Sequence, residues 1–270
     1  MKKHIYLNCS FLMMTLLVIL CGVAAGGTVA HWEFEEGVAG STAQSPDSII
    51  DSANAMNGTP IGGPVYVETA DIHGSMGLHF DGINDYISIE DDPLFAVTNS
   101  LTLEAIVVFE GVSPGSRFFN QIVFRGDDRG GNDPYFLAVT LDGRLAFAVE
   151  NADRQQSVLS TSSPLVTGEV LHVAGTLNDV TGEQKLYINA SEVASTITDI
   201  RPFATLDSGF DPGLGIGNTQ NSDWDQWFNG TIGQVRISDQ ALIPNEFLPE
   251  PATLLLLGLG GLMLRKRHRR

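Results

Sequence analysis

The sequence predicts an all-β fold of two facing antiparallel sheets, and three observations favour this fold class. Apolar and polar residues alternate in short segments, and in the clearest of them, Leu101 to Phe109, the odd-numbered residues form one apolar face. Residues that favour turns separate these segments. Between the two ends of the chain, no useful length shows the helical period of about 3.6 residues. We therefore expect a two-sheet sandwich in which 101–109 is a half-buried strand.

The first 25 residues have the organisation of a secretory signal peptide. The basic start Lys2-Lys3-His4 precedes an apolar stretch, Phe11 to Leu20, and the small residues Val23-Ala24-Ala25 follow at the expected cleavage site. A lipoprotein signal that uses Cys21 is the alternative, but the bulky Leu20 stands before it, where a small residue is expected.

Both cysteines of the chain, Cys9 and Cys21, lie inside this signal. The exported domain, which we predict over 26–248, therefore has no disulfide even though it enters a compartment that permits them. Its stability must come from a buried core, and a domain of this length can bury one without covalent links.

Three strands are predicted in the first half of this domain. Thr28 to Gly37 places Trp32 and Phe34 on one face, and the forty residues after it are rich in Gly, Pro, Asn and Ser, which is typical of short strands in long loops. Tyr86 to Glu90 alternates in the same way as the 101–109 strand.

Two hairpins and a last strand are predicted in the second half. Asp142-Gly143 favours a tight type I′ turn in the first hairpin, and the second has a longer loop. A brief turn over 240–247 closes the domain. The elements are, in chain order, Tyr135 to Leu141 with Arg144 to Glu150, Leu171 to Leu177 with Lys185 to Asn189, and Thr231 to Ser238.

The composition changes abruptly over 249–270. Pro249-Glu250-Pro251 precedes the apolar stretch Ala252 to Leu264 and a basic end, Arg265 to Arg270. Thirteen helical residues span about 20 Å, which is short of the hydrocarbon layer of about 30 Å. The order of the three parts resembles the PEP-CTERM sorting signal of Gram-negative bacteria. The resemblance implies processing by an exosortase-type transpeptidase and membrane insertion until then, whereas an ordinary C-terminal membrane anchor is the alternative.

The exported part is strongly acidic, with 31 Asp and Glu against eight Lys and Arg over 26–248. Phosphate binding needs a cationic surface, so nucleic acid is excluded as a partner. Solubility is the simplest explanation for this acidity, and cation binding is the more specific one.

Several motifs resemble those of the LamG-like jelly roll, a branch of the concanavalin A-like lectin/glucanase superfamily. They are HWEFEEG from His31, IIDSANAMNGT from Ile49, GLHFDGINDYISI from Gly77, LHVAGTLNDVTGEQKLYINA from Leu171 and GTIGQVRIS from Gly230. The resemblance implies a two-sheet antiparallel jelly-roll sandwich. It does not assign a function, because one fold supports many activities.

Relatives with this fold include glycosidases, whose paired carboxylates occupy a closely spaced strand motif. No such motif occurs here, and the nearest spacing, Glu33 with Glu35, falls on the first strand. The sequence therefore favours a non-catalytic protein, with a glycoside hydrolase as the alternative.

Calcium is the cofactor that we consider. The resemblance implies a structural site with an acidic residue on the last strand, but Gly233 stands at that position. A second acidic loop, over 125–133, offers the oxygen ligands that hard cations favour, and a charged solvated loop is the alternative. Its candidate ligands are Asp127, Asp128, Asn132 and Asp133.

A glycan site needs aromatic rings that stack on sugar faces beside polar groups that bind the hydroxyls. Trp224, between Asp223 and Asp225, lies in a stretch too polar for a strand and is predicted at a loop tip. We also consider a concave groove floored by Ala146 and Ala148, or else an ordinary solvated face. Its predicted lining is Glu104, His172 and Tyr187.

These observations favour an exported, non-catalytic module that binds a carbohydrate or mediates adhesion at the cell envelope, outer surface or extracellular matrix of a Gram-negative bacterium. A structural protein of the surface layer that binds no glycan is a further alternative.

Overall fold

The computed structural model describes residues 27–69 and 76–248, and within them the protein has fifteen β-strands and two short 3-10 turns. The strands are β1 Thr28–Trp32, β2 Thr59–Ile61, β3 Val65–Glu68, β4 Met76–Asp81, β5 Tyr86–Glu90, β6 Leu101–Phe109, β7 Phe119–Gly126, β8 Tyr135–Thr140, β9 Leu145–Glu150, β10 Gln156–Ser160, β11 Val170–Leu177, β12 Glu183–Ile188, β13 Ser191–Ile197, β14 Gly213–Ile216 and β15 Asn229–Ser238. The 3-10 turns are Pro93–Phe95 and Pro244–Glu246.

The strands form two antiparallel sheets that face each other, which confirms the predicted sandwich. The first sheet has the order β13-β12-β11-β6-β15-β4-β3, and β1 also pairs with β15. The second sheet has the order β10-β9-β8-β7-β14-β5-β2. The predicted signal peptide, 1–25, and the C-terminal segment, 249–270, lie outside the described residues. No helix in the described ranges has the length and apolar character that a membrane span requires.

One apolar core fills the space between the sheets. Alternate residues of each strand point into it, as in β8, where Tyr135, Leu137 and Val139 are fully buried in the core. Trp32 is also fully buried, and its indole Nε1 donates to the carbonyl of Met56 at 3.0 Å. This hydrogen bond satisfies the polar atom of the largest core side chain and joins β1 to the loop before β2.

Asp51 organises the long loop between β1 and β2. Its carboxylate accepts hydrogen bonds from the backbone N–H groups of His31, Ala53, Asn54 and Met56, at 2.8 to 3.0 Å. The side chain is almost fully buried. The IIDSANAMNGT motif is thus a structural turn in which one carboxylate replaces the backbone partners that a regular strand would provide.

Two local predictions are wrong. β6 is not half-buried: eight of its nine residues are buried, because later residues of the chain cover its outer face. The turn after β8 is not type I′, since Gly143 has a positive φ of 82° but Asp142 does not. Gly143 N donates to Thr140 O and Thr140 N to Arg144 O, which produces a three-residue loop.

Replacing the Asp51 carboxylate should destabilise the domain. We expect Asp51→Ala to lower the free energy of unfolding by about 2–4 kcal/mol, because it removes a buried carboxylate that accepts from four partly buried N–H groups. Chemical denaturation measures the change. The control is Asp199→Ala at an exposed position, expected within about 0.5 kcal/mol of the parent protein; equal stability of the two variants would contradict the role of Asp51.

Candidate functional site

A pocket of about 400 Å³ opens on the outer face of the second sheet. Strand alternation creates its floor: β8 turns Phe136 away from the core, and Phe124 of β7 lies directly opposite it in the sheet. These two rings form a second apolar cluster with Ala138 and Ala148, and Phe119 packs on it with its ring centroid 4.9 Å from that of Phe136. The floor is therefore aromatic and separate from the main core.

The loop after β7 forms one wall of the pocket. The carboxylate of Asp127 accepts two hydrogen bonds from Nε of Arg129, at 3.0 and 3.1 Å, and one from the backbone N–H of Asp207 at 3.2 Å. Burial opposes ionisation of Asp127, but these hydrogen bonds hold its pKa below the usual value. The Arg129 guanidinium also lies over the ring of Phe210, 5.5 Å from its centroid.

The four predicted calcium ligands in this loop do not form one site. Asp127 is bound to Arg129, whereas Asp128 accepts amide hydrogen bonds from Gln220 and Asn221. The Asn132 amide donates to the carbonyl of Arg129. Within the described residues, no group of three or more His, Cys, Asp or Glu side chains is arranged to hold a metal ion. The geometry therefore gives the calcium prediction no support.

Asp133 and Glu150 are two acidic residues that line the pocket. Burial raises the pKa of Asp133 to about 8, and the negative charges of Glu150 and Asp127 add to the effect. Burial also raises the pKa of Glu150, against a hydrogen bond from the backbone N–H of Asp133. Gln156 donates to Glu150 Oε2 at 3.3 Å, and Oε1 of Glu150 is buried without a partner among the described residues. A pKa near 8 favours the protonated form of the Asp133 carboxyl at neutral pH, and that form can donate a hydrogen bond.

Trp224 lines the pocket from the loop between β14 and β15, as predicted for a loop residue. It is half-buried and packs beside Gly130. Its neighbours differ: Asp223 is exposed, whereas Asp225 forms an ion pair with Arg117 at 3.1 Å. Trp227 packs with Tyr86 at 5.9 Å and is buried. The loop thus contributes one aromatic ring to the pocket.

The groove predicted over Glu104, His172 and Tyr187 is not open, and this prediction is corrected. These three residues lie on the outer face of the first sheet, whereas Ala146 and Ala148 belong to the second. All three are buried beneath the segment 242–248. Phe247 lies 5.3 Å from His172 and 5.1 Å from Tyr187, measured between ring centroids.

A buried carboxylate fixes that segment. Glu104 accepts hydrogen bonds from His172 Nε2 at 2.8 Å, from Arg236 Nε at 2.6 Å and from the backbone N–H of Leu248 at 2.7 Å. Arg236 also donates to the carbonyl of Glu246. The prediction failed because strand alternation shows which residues share a face but not whether a distant segment covers it.

The sequence reasoning missed much of the pocket. It assigned no role to Phe119, Phe136 or Arg154, and it used Glu150 only as the end of a strand. One signal was present: alternation in β9 places Glu150 on the face of Ala146 and Ala148, which the sequence had suggested as a groove floor. The pocket therefore joins that floor to Trp224 and to the loop of Asp127 and Asp133.

Two family models match the chain. Residues 81–246 match the Laminin G type model described as the concanavalin A-like lectin/glucanases superfamily, and residues 248–270 match the PEP-CTERM protein-sorting motif. Both resemblances drawn from the sequence are confirmed. No curated protein matches the chain.

Solved structures of similar fold include domain 4 of AbnA, a GH43 extracellular arabinanase from Geobacillus stearothermophilus, in complex with arabinotriose. Identity is 18%, the TM-score is 0.55, and the match covers 82% of this chain and 96% of that one. The binding domain of Paraclostridial Mosquitocidal Protein 1 is 16% identical, with a TM-score of 0.55 over 79% of this chain and 51% of that one.

A third similar structure is a Trypanosoma rangeli sialidase in complex with a difluoro sugar acid. It is 15% identical, with a TM-score of 0.52, and the match covers 82% of this chain but only 31% of the sialidase. At these identities the likenesses show the fold alone.

The raised pKa of Asp133 should make stability depend on pH. The folded state keeps the proton up to about pH 8, whereas an unfolded Asp loses it near pH 3.9, so stability should fall as pH rises from about 4 to about 8. Asp133→Asn should flatten this profile and raise the melting temperature at pH 8 by about 2–4 °C. Differential scanning calorimetry at pH 5 and pH 8 measures the melting temperature of each variant. The exposed Asp153→Asn is the control, and the same profile in both variants would contradict the assignment.

Loss of the Glu104 charge should release the 242–248 segment. We expect Glu104→Gln to lower the free energy of unfolding by about 3 kcal/mol, because the Arg236 charge loses its buried partner. Hydrogen exchange at 242–248 should also become faster. Glu110→Gln, which removes an exposed pair with His79, should cost less than about 1 kcal/mol. Unchanged exchange in Glu104→Gln would show that the carboxylate does not hold the segment.

Proposed function

Because the chain belongs to the concanavalin A-like lectin/glucanases superfamily, we propose that it is an exported, non-catalytic module that binds carbohydrate in the pocket on the outer face of its second sheet. One observation carries the proposal: a cavity of about 400 Å³ combines aromatic rings with convergent polar side chains, which is the composition of a saccharide site.

The pocket offers both kinds of contact that a sugar needs. The half-buried Trp224 ring lines the pocket and provides a face for the apolar side of a pyranose or furanose ring. The protonated Asp133 donates to a hydroxyl oxygen, and Gln121, Gln156 and Gln226 add amides that both donate and accept. A domain of similar fold that was solved with arabinotriose supports this class of ligand.

The sorting motif indicates export and sorting to the cell surface. We propose that an exosortase-type enzyme processes the chain there, that the C-terminal segment is in the membrane before processing, and that the domain then stays in the cell envelope or extracellular matrix of a Gram-negative bacterium. In that location it would bind a surface or extracellular polysaccharide.

A glycoside hydrolase is the second candidate function. The observation that favours it is that two carboxyl groups, those of Asp133 and Glu150, line the same pocket. A protonated carboxyl beside a second one in a sugar-sized pocket matches the acid and the base or nucleophile of glycosidases. In this reading Asp133 protonates the leaving oxygen, and Glu150 activates water or attacks the anomeric carbon. These residues replace the earlier candidates Glu33 and Glu35.

Binding should depend on Trp224. We expect titration calorimetry with the oligosaccharide that gives the strongest signal on a glycan array to show at least tenfold weaker binding by Trp224→Ala, a loss of about 1.4 kcal/mol. Val180→Ala removes an exposed apolar side chain far from the pocket and is the control. If the protein binds no glycan on the array, the result would instead support a structural surface protein.

The same saccharide should be recovered intact after prolonged incubation with the protein. Release of reducing ends that is abolished by both Asp133→Asn and Glu150→Gln would replace the binding proposal with the hydrolase. Release that survives both substitutions would point to a contaminating enzyme rather than to this pocket.

A further inference from the structure

The basic residues of the domain are nearly all neutralised. Of the eight Lys and Arg over 27–248, six form ion pairs with carboxylates and Arg201 donates to three backbone carbonyls. The paired residues are Arg117, Arg125, Arg129, Arg144, Lys185 and Arg236. Arg154 is the remaining one. Its side chain makes no hydrogen bond or ion pair with any described residue, and it lines the pocket.

A small, well-bonded loop presents Arg154 to the pocket. The side-chain oxygen of Asn151 accepts from the backbone N–H groups of Asp153 and Gln155, both at 3.0 Å, and its amide donates to the Gln155 side chain at 2.9 Å. Arg154 itself has a φ of 60°, in the left-handed region that non-glycine residues rarely occupy. The loop thus fixes the backbone of Arg154 in a strained conformation.

The acidic groups of the pocket do not bind this guanidinium. Asp127 is occupied by Arg129. Glu150 is close enough for Arg154 to lower its pKa against the larger effect of burial, but it accepts its hydrogen bonds from Gln156 and from the backbone of Asp133. The donors of Arg154 therefore remain available, within a domain whose charge is near −23.

We infer that the pocket selects an acidic saccharide, with Arg154 binding the carboxylate of a uronic acid residue through two parallel N–H···O hydrogen bonds. The inference rests on the proposed function and specifies its ligand class. The planar guanidinium matches a carboxylate in this geometry, and such bonds are about twice as strong as neutral ones. The remaining surface repels anions, so an acidic chain would be held only where this cation meets it.

The test compares two ligands matched in length: oligogalacturonate and the neutral galacto-oligosaccharide. Calorimetric titration of the parent protein at pH 6 and low salt should show at least tenfold tighter binding of the acidic oligomer. Arg154→Gln should lose this preference and keep its affinity for the neutral oligomer, and Arg154→Lys should be intermediate because it keeps charge without the planar fork. Arg144→Gln, which removes an exposed arginine already paired with Asp142, is the matched control and should behave like the parent.

The outcomes separate this inference from the proposed function. Equal affinity for both oligomers, unaffected by Arg154→Gln, would overturn the acidic ligand while leaving a carbohydrate-binding module. An equal loss in Arg144→Gln would mean that the preference is a general charge effect, and would also overturn the role of Arg154. If the protein binds neither these oligomers nor any other glycan, the proposed function itself fails. Thermal melts of each variant verify folding, which the exposed position of Arg154 should leave unchanged.

Discussion

The buried Glu104 carboxylate accepts hydrogen bonds from three partners. These contacts determine which outer face of the sandwich is open to solvent. Glu104 lies in the central strand β6, and its contacts with His172, Arg236 and the Leu248 backbone draw the last described residues across the outer face of the first sheet. A carboxylate without such partners would be too costly at this depth. The 242–248 segment covers this part of the face, and the cavity that we propose as the ligand site lies instead on the outer face of the second sheet.

The alternation of apolar and polar residues was sufficient to predict the strands in which it is clear. It was insufficient to predict the other strands. β5, β6 and the two hairpins alternate strongly and lie where the sequence placed them. β13 is almost entirely exposed, and β14 is a four-residue strand with two glycines, so neither has an apolar stripe to detect. β7 was not predicted, because the only feature that the sequence suggested there was the acidic loop over 125–133. These strands exist because their neighbours supply hydrogen-bonding edges.

The candidate site also divides into residues that the sequence could suggest and residues that it could not. Trp224 and the 125–133 loop were identified from residue type, because an aromatic among acidic residues and a carboxylate-rich loop stand out in any sequence. Arg154 and Glu150 carry no such mark. The roles that we propose for them depend on cross-strand register and on the burial of nearby carboxyl groups, which arise from long-range contacts. They depend also on the ion pairs and hydrogen bonds that the other Lys and Arg side chains of the described residues make, which the sequence does not show. Electrostatic character at this pocket is therefore a tertiary property.

The position of β15 in the first sheet affects when the core of the domain can close. This strand, Asn229–Ser238, lies between β6 and β4 and also pairs with β1, so the sheet has a gap at its centre until the last tenth of the domain is available. Contacts of such high sequence separation form late. A chain that is exported unfolded, with its N-terminus first, would therefore complete its core only after β15 has crossed the membrane.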